Sequence, residues 1–391
     1  MIKLAPFTLL VLLTAFHPLS LAGLRVLEIP TILVYYYVWY VDGLGGPHWN
    51  DSDLTKVIDV PAIGFYDSYN DSVIRWQLSL MKRAGVDGVI ISWWGPGSYE
   101  DRVAKKVFRY LKLFGLKGCI MIEPFLTSDL GEARKVYNES FWSRILDYVY
   151  RNFVEPYRGT YLEIDGKPLV LAFAPVGIFY RPRSERFLIR VVATMVDEIN
   201  ALSSLTGMRV DWDLWPWYIP LEKGFHGLRL RVGGYVALAP RYDPALERLE
   251  GVADRDPLDM DPSYSQRVYD EEWKWVLNHF WLVRIVAIYS WNEYHERSEI
   301  EPHRDATASN GAYPYEATLR YAHELKNLVK EFNEAIAILV TTLLTTLFLA
   351  PCVGLELSRV LRPFGKGLNE ALNPLERLDN VVLLRRYPRW G

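Results

Sequence analysis

Val283-Arg-Ile-Val-Ala-Ile-Tyr289 is an apolar run broken by one arginine, and it gives way at once to Ser290-Trp-Asn-Glu-Tyr-His-Glu-Arg-Ser-Glu-Ile-Glu-Pro302. The run has the length and composition of a strand buried on both faces, as parallel strands are. The segment beyond it is dense in carboxylates, histidine and aromatic rings. α/β proteins place their chemistry where parallel strands end. Glu293 and Glu296, three residues apart in that exit, are therefore the candidate catalytic pair.

Upstream of it, similar apolar runs recur at Thr31–Trp39, Gly88–Trp93, Gly118–Ile122, Leu169–Phe173, Val210–Leu214 and Arg231–Leu238. Helical periodicity is read between several of them, over Ser72–Ala84, Asp101–Phe114, Phe141–Phe153, Glu185–Leu205 and Tyr264–Phe280, and again over Tyr315–Phe332. Strand-then-helix repetition implies parallel strands joined by right-handed crossovers. Seven or eight such units predict an α/β fold of the closed (β/α)8, or TIM-barrel, type over residues 28–332. The first strand is followed by no glycine-rich dinucleotide fingerprint, which counts against an open nucleotide-binding sheet.

The two ends read differently. Residues 1–22 carry Lys3, then an apolar stretch, then a small residue before Gly23, the pattern of a secretory signal or an N-terminal anchor. Ala335 to Leu355 is free of charge over 21 residues, enough to cross a ~30 Å hydrocarbon core as a helix. Arg359, Arg362 and Lys366 follow, so 335–355 is expected to be a transmembrane helix and 356–391 a basic cytoplasmic tail. The expected location is the cell membrane, with the barrel outside the cytoplasm. The chain has 391 residues, a formal charge of −3 and half its residues apolar, which allows a large core and gives no electrostatic reason to expect a nucleic-acid partner. Cys119 falls in a predicted core strand and Cys352 in the predicted span, so the two are not expected to pair.

Polar and aromatic residues gather at the predicted strand ends: Trp39-Tyr40 with His48-Trp49, then Ser92-Trp-Trp94, Glu123, and Arg241-Tyr242-Asp243. In a barrel these ends converge on one face. A pocket with several carboxylates and aromatic walls suits cleavage of glycosidic bonds, which needs an acid at the leaving oxygen and a second carboxylate at the sugar. Metal binding is the competing chemistry, through His295, His303, Glu293, Glu296, Glu299 and Asp305, but their spacing matches no metal signature.

These residues, taken in order, resemble glycoside hydrolase family 99, the endo-α-mannosidase and endo-α-mannanase group. The resemblance runs from about Thr31 to Leu328 through Tyr36-Tyr-Val-Trp-Tyr40, His48-Trp-Asn50, Ile63-Gly-Phe-Tyr-Asp-Ser68, Lys82-Arg-Ala-Gly-Val-Asp-Gly-Val-Ile-Ile-Ser-Trp-Trp-Gly-Pro-Gly97, Ile122-Glu-Pro-Phe125, Gly166-Lys-Pro-Leu-Val170, Ala239-Pro-Arg-Tyr-Asp243 and Trp291-Asn-Glu-Tyr-His-Glu296. It implies a retaining endo-glycosidase for α-mannose-containing oligosaccharides or polysaccharides, working without metal or other cofactor. Glu293 would polarise the sugar 2-hydroxyl, which attacks the anomeric carbon. Glu296 would serve as general acid and then as general base. The expected substrate contacts are Tyr40, His48, Trp49, Tyr66, Trp93, Trp94, Glu123, Tyr242, Asn292 and His295. The family usually has glycine where this chain has Arg297, whose guanidinium is expected to favour the ionised form of Glu296 and oppose its acid role. Related barrels in polysaccharide biosynthesis make glycosyl transfer, or glycan binding without turnover, the alternative readings.

Overall fold

The computed structural model describes residues 27–41, 47–49, 57–123, 139–164, 166–173, 190–194, 213–214, 235–241, 262–305 and 311–353. By its internal contacts the chain divides into two compact units, Glu28–Val329 and Met1–Leu27 with Lys330–Gly391.

The first unit is built on eight parallel strands: β1 Thr31–Tyr36, β2 Gly88–Trp93, β3 Lys117–Ile122, β4 Lys167–Phe173, β5 Arg190–Thr194, β6 Asp213–Leu214, β7 Tyr235–Leu238 and β8 Ile285–Ile288. Their order is β6-β5-β4-β3-β2-β1-β8-β7. Neighbours in the chain are thus neighbours in the sheet, and the first strand pairs in parallel with the last, Thr31 opposite Ile285 and Val34 opposite Ile288. First-to-last pairing is what a barrel has and an open sheet lacks. A β6–β7 pair is not among the pairings described.

β5 corrects the sequence reading, which ran a helix over 185–205. Val191, Val192 and Thr194 are β-branched and favour a pleated strand. This strand completes the eight.

The helices have local causes. In α1, Asp71–Arg83, the Asn70 side chain accepts the Ser72 N–H at 2.8 Å, and Lys82 and Arg83 lie in the last turn, favourably for the helix dipole. In α2, Tyr99–Phe114, Ser98 caps the start and Gly115, at φ 61°, ends it in the left-handed conformation. Val107, Phe108 and Leu111 bury one stripe of α2 against the sheet, where Gly118 of β3 gives them room. α3 (Glu139–Val149) and α4 (Pro262–Asn278) follow β3 and β7.

α5 runs unbroken from Tyr313 to Val353, where the sequence reading had a barrel helix and a separate span. Its first part packs on the barrel through Tyr321, Ala322 and Leu325. In the other unit Leu27 and Asn333 exchange two hydrogen bonds, at 2.9 and 2.8 Å. Among the described residues no helix is long and apolar enough to cross a membrane, so the expected span at 335–355 is not found. Four threonine hydroxyls within its described part bond back to their own helix at 2.8 Å. The predicted signal at 1–22 and tail at 356–391 lie outside the described residues.

Candidate active site

Strand alternation divides the aromatic residues at the ends of β1 and β2. Successive side chains of extended chain point to opposite faces. On one face Tyr37 donates from its hydroxyl to that of Tyr289 at 3.1 Å, and the Trp39 ring lies 4.7 Å from that of Tyr37. On the other face the Tyr36 hydroxyl reaches Gln77 of α1, and Tyr40 stacks on Trp49 at 3.8 Å. β2 repeats the pattern. Ser92 donates to Glu123 Oε1 at 2.8 Å, whereas Trp93 turns to the helices, giving its indole N–H to Asp101 at 3.0 Å and stacking on Tyr148. Trp94 returns to the first face, 6.1 Å from Trp39.

The segment after β8 is folded back on itself. Ser290 N–H donates to Ser298 O at 2.9 Å, and Glu301 N–H donates to Trp291 O at 2.8 Å. Asn292 pins this segment to β1: its Oδ1 accepts the Tyr37 N–H at 2.9 Å and its Nδ2 donates to Tyr37 O at 2.7 Å, copying a strand pairing with a side chain. Glu293 is almost wholly buried. Its N–H donates to Ser290 Oγ at 2.7 Å, and its Oε1 accepts the His295 N–H at 3.0 Å. Glu296 is partly exposed and its Oε2 accepts the Tyr289 hydroxyl at 2.6 Å.

Three carboxylates act on one point. Burial raises the Tyr37 hydroxyl well above the usual tyrosine value, and the charges of Glu293, Glu123 and Glu296 raise it further. Burial pushes Glu123 itself up to about 8, with the Ser92 hydrogen bond opposing and Glu296 adding to the rise. Glu123 is therefore largely neutral at pH 7 and carries a proton it can present. Trp39, His48 and His295 wall this region, with Trp39 stacked on His48 at 4.9 Å. His48 stands at φ 65°, a left-handed backbone that costs a non-glycine residue about 1–2 kcal/mol.

Below the same segment lies a buried ionic cluster. The two-residue strands Val60–Pro61 and His303–Arg304 pair antiparallel and bring Asp59 beside Asp305. Arg297 donates from Nε to Asp59 Oδ2 at 2.8 Å and from Nη2 to Asp305 Oδ1 at 3.0 Å. Arg241 donates to Asp59 at 3.0 Å, to Asp305 at 2.7 Å and, through Nε, to the Arg297 carbonyl at 2.8 Å. The Arg297 guanidinium thus serves two carboxylates, Asp59 and Asp305. Arg297 has φ 52°, a conformation that suits glycine. Burial pushes Glu299 up to about 8, against His303 and Arg241. Burial alone would lower His303, but Glu299 and Asp305 outweigh it and raise it. His303 Nε2 stands 3.3 Å from Glu299 Oε1.

Asp59, His303 and Asp305 bring one ligand atom each within 4.8 Å of one another. Both carboxylates there already serve two guanidiniums, so a cation would have to displace Arg241 and Arg297. The donor set fits an ion cluster better than a metal centre.

No protein-family model and no curated protein matches the sequence. A structure of the GH99 endo-α-mannosidase from Bacteroides thetaiotaomicron in complex with BIS-TRIS-propane superposes with a TM-score of 0.56 at 18% identity, over 78% of this chain and 99% of that one. A second structure of that enzyme gives 0.56 at 17% identity, over 77% and 99%. The chain shares the GH99 fold.

On this GH99-like barrel the predicted contacts fall into two groups. His48, Trp94, Glu123 and His295 gather with Glu293 and Glu296 around Tyr37 and Trp39. Tyr40, Trp49, Tyr66, Trp93 and Asn292 do not: all five are buried by packing or by hydrogen bonds within the protein, and Tyr40, Trp49 and Tyr66 share one core cluster with Val73 and Tyr294. For Tyr40 and Trp93 the cause is alternation: adjacent aromatics in extended chain face opposite ways, so Trp39 and Trp94 turn toward the site and their neighbours away from it. Tyr242 lies outside the described residues. The sequence reading placed Trp39 and Ser92 at the strand ends but not among the substrate contacts, and it gave Tyr37 and Tyr289 no role; counting back alternate residues from Trp39 finds Tyr37. Asp59 and Glu301 gave no local signal.

Proposed function

We propose that this protein is a glycoside hydrolase that cleaves α-mannose-containing glycans internally with retention, using Glu293 and Glu296. The observation that carries this reading is the convergence of Glu293, Glu296 and Glu123 on Tyr37, beside the aromatic wall of Trp39, His48 and His295. The shared GH99 fold supports it.

In the proposed scheme the Glu293 carboxylate takes the 2-hydroxyl proton as that oxygen attacks the anomeric carbon from the face opposite the leaving group. In α-mannosides the 2-hydroxyl stands trans to the leaving group and can do this. The glycosidic bond breaks as Glu296 gives its proton to the departing oxygen. Glu296, now a base, deprotonates a water that opens the 1,2-anhydro ring, and Glu293 returns its proton to O2. Two inversions give retention. Neutral Glu123 supplies a hydrogen-bond donor to a sugar hydroxyl, and the aromatic wall supplies stacking area. The scheme needs no metal or cofactor. Interception of the anhydro sugar by a second sugar instead of water would make the same site a transglycosylase.

Purified full-length protein, incubated with α-mannan and followed by proton NMR, should release saccharides whose first-formed anomer is α. Glu293→Gln and Glu296→Gln should each lower kcat at least about 100-fold, in the range for loss of a general acid or base. Glu293→Gln should leave substrate binding largely intact, since shape is kept and charge lost. An inert wild type, or near-normal rates in either variant, would reject the reading. Elongated products would favour transfer, and binding without turnover a receptor.

We further propose export and anchoring by 335–355. The uncharged run and the exposed Ile338 and Leu344 support this. Release of the protein from membranes by alkaline carbonate would refute it.

A further inference from the structure

Four hydrogen bonds meet on a carboxylate that the proposed chemistry leaves unused. Glu301 is fully buried. Its Oε1 accepts from Gln77 Nε2 at 2.7 Å and Trp291 Nε1 at 3.3 Å, and its Oε2 accepts from the Tyr66 and Tyr294 hydroxyls at 2.9 and 2.8 Å. Every partner donates, so the arrangement satisfies an anion. A carboxylic acid at this place would carry a proton with no acceptor until one hydroxyl turned.

The partners matter for where they sit. Trp291 and Tyr294 bracket Asn292 and Glu293. Tyr66, while donating to Glu301, accepts from Asn292 Nδ2 at 3.0 Å, and Asn292 in turn holds the Tyr37 backbone. Tyr40 closes the frame, donating to Asn292 O at 2.8 Å and accepting the Tyr294 N–H at 3.1 Å. Gln77 ties the assembly to α1. The backbone on both sides of Glu293 is therefore fixed from behind the barrel wall, with Glu301 as the common acceptor.

We infer that Glu301 is a positioning residue, which sets the backbone of Trp291–Tyr294 and through it the direction of the Glu293 carboxylate. The inference rests on the reading of Glu293 as a reacting group. A purely stabilising role fits less well, because a buried carboxylate holds a fold together no better than an apolar residue of its size.

A pH readout follows. Burial pushes Glu301 up to about 7, against the pull of its four donors. The titratable groups facing it are Tyr36 from β1, Tyr66 from the segment before α1, and Tyr294. All three are raised well above the usual tyrosine value, by burial first and then by the charge of Glu301, so they stay neutral here. His303 meets the edge of the Tyr294 ring at 6.2 Å. From α1 the facing group is the neutral Gln77.

The test uses the full chain on α-mannan from pH 5 to 9, with amide hydrogen exchange of the 290–301 segment as a second readout. Glu301→Gln replaces one acceptor oxygen with a donor. We expect kcat to fall about 10- to 100-fold above pH 7, the scale of a small misplacement of a reacting group, with KM within about threefold. The acid-side limb near pH 7 should vanish, and exchange across 290–301 should quicken. Tyr66→Phe keeps the carboxylate and three donors but cuts the link to Asn292; it should retain the limb and lose about 3- to 10-fold in kcat by the same argument. Wild-type kcat in Glu301→Gln overturns the inference, as does a pH-independent loss with unchanged exchange. If Glu301→Gln does not fold, wild-type turnover and exchange in Tyr66→Phe overturn it. If the wild type proves inert on mannans, the proposed function fails on its own, and unchanged exchange in the variants then sinks this inference separately.

Discussion

Arg297→Gly and Arg297→Ala, made side by side, separate two effects that one residue combines. Its guanidinium is buried and donates to Asp59 Oδ2 at 2.8 Å, Asp59 Oδ1 at 3.2 Å and Asp305 Oδ1 at 3.0 Å. Removing one partner of a buried ion pair costs about 3–5 kcal/mol. Arg241 stays in contact with both carboxylates, so the low end, about 3 kcal/mol, applies here. The backbone contributes with the opposite sign. At φ 52° a side chain costs about 1–2 kcal/mol that glycine avoids, less the extra freedom glycine has when unfolded. Alanine should therefore destabilise by about 3 kcal/mol and glycine by about 2. In a thermal melt each kcal/mol moves the midpoint of a domain this size by about 2–4 °C, so the alanine variant should melt about 6–12 °C below wild type and the glycine variant about 4–8 °C below. If alanine proves as stable as glycine, the left-handed assignment is wrong. If both match wild type, the buried cluster does not form in solution.

Stability should fall as pH rises. Glu123 and Glu301 have folded-state values raised by burial to about 8 and about 7. A raised carboxyl stabilises the fold fully below the unfolded value, about 4.3, and loses that contribution as pH passes through the folded value. The melting midpoint should therefore decline between pH 5 and 8, and Glu123→Gln should flatten the decline; a midpoint rising over that range would contradict both burials. Gly118→Ala should cost about 1–3 kcal/mol by overpacking, because its Cβ would stand 2.5 Å from Leu111 Cδ1 and 3.1 Å from Phe108 Cζ. An unchanged urea midpoint would mean that α2 does not seat against β3 in this way.

Much of the barrel is legible in the sequence, for a physical reason. Strands covered on both faces need no polar alternation, so β1, β2, β3 and β8 survive as mostly apolar runs. β5 escapes because Arg190-Val-Val-Ala-Thr194 stands inside a longer stretch with helical spacing, and short apolar runs fit either period. The candidate pair is legible because an apolar strand ends abruptly in carboxylates. The supporting groups are not. Glu301 draws donors from positions 66, 77, 291 and 294, and Asp59 meets arginines at 241 and 297. Such pairings exist only once distant segments are adjacent. Trp93 and Trp94 show the intermediate case, where the residues are conspicuous and only strand geometry says which one faces the site.

The pairing of β1 with β8 has a consequence for biogenesis. The Tyr37–Asn292 clamp and the Tyr40–Asn292 bond join positions more than 250 residues apart, across the seam where the ring closes. Contacts that distant are slow to form, because the chain between them must be ordered before they return any free energy. During N-terminal-first synthesis the Tyr37 side of the cleft leaves the ribosome long before the strand that carries the two glutamates. On the proposed chemistry, every nascent intermediate short of β8 lacks both glutamates and would be silent. Turnover, if the proposal holds, would report that the ring has closed.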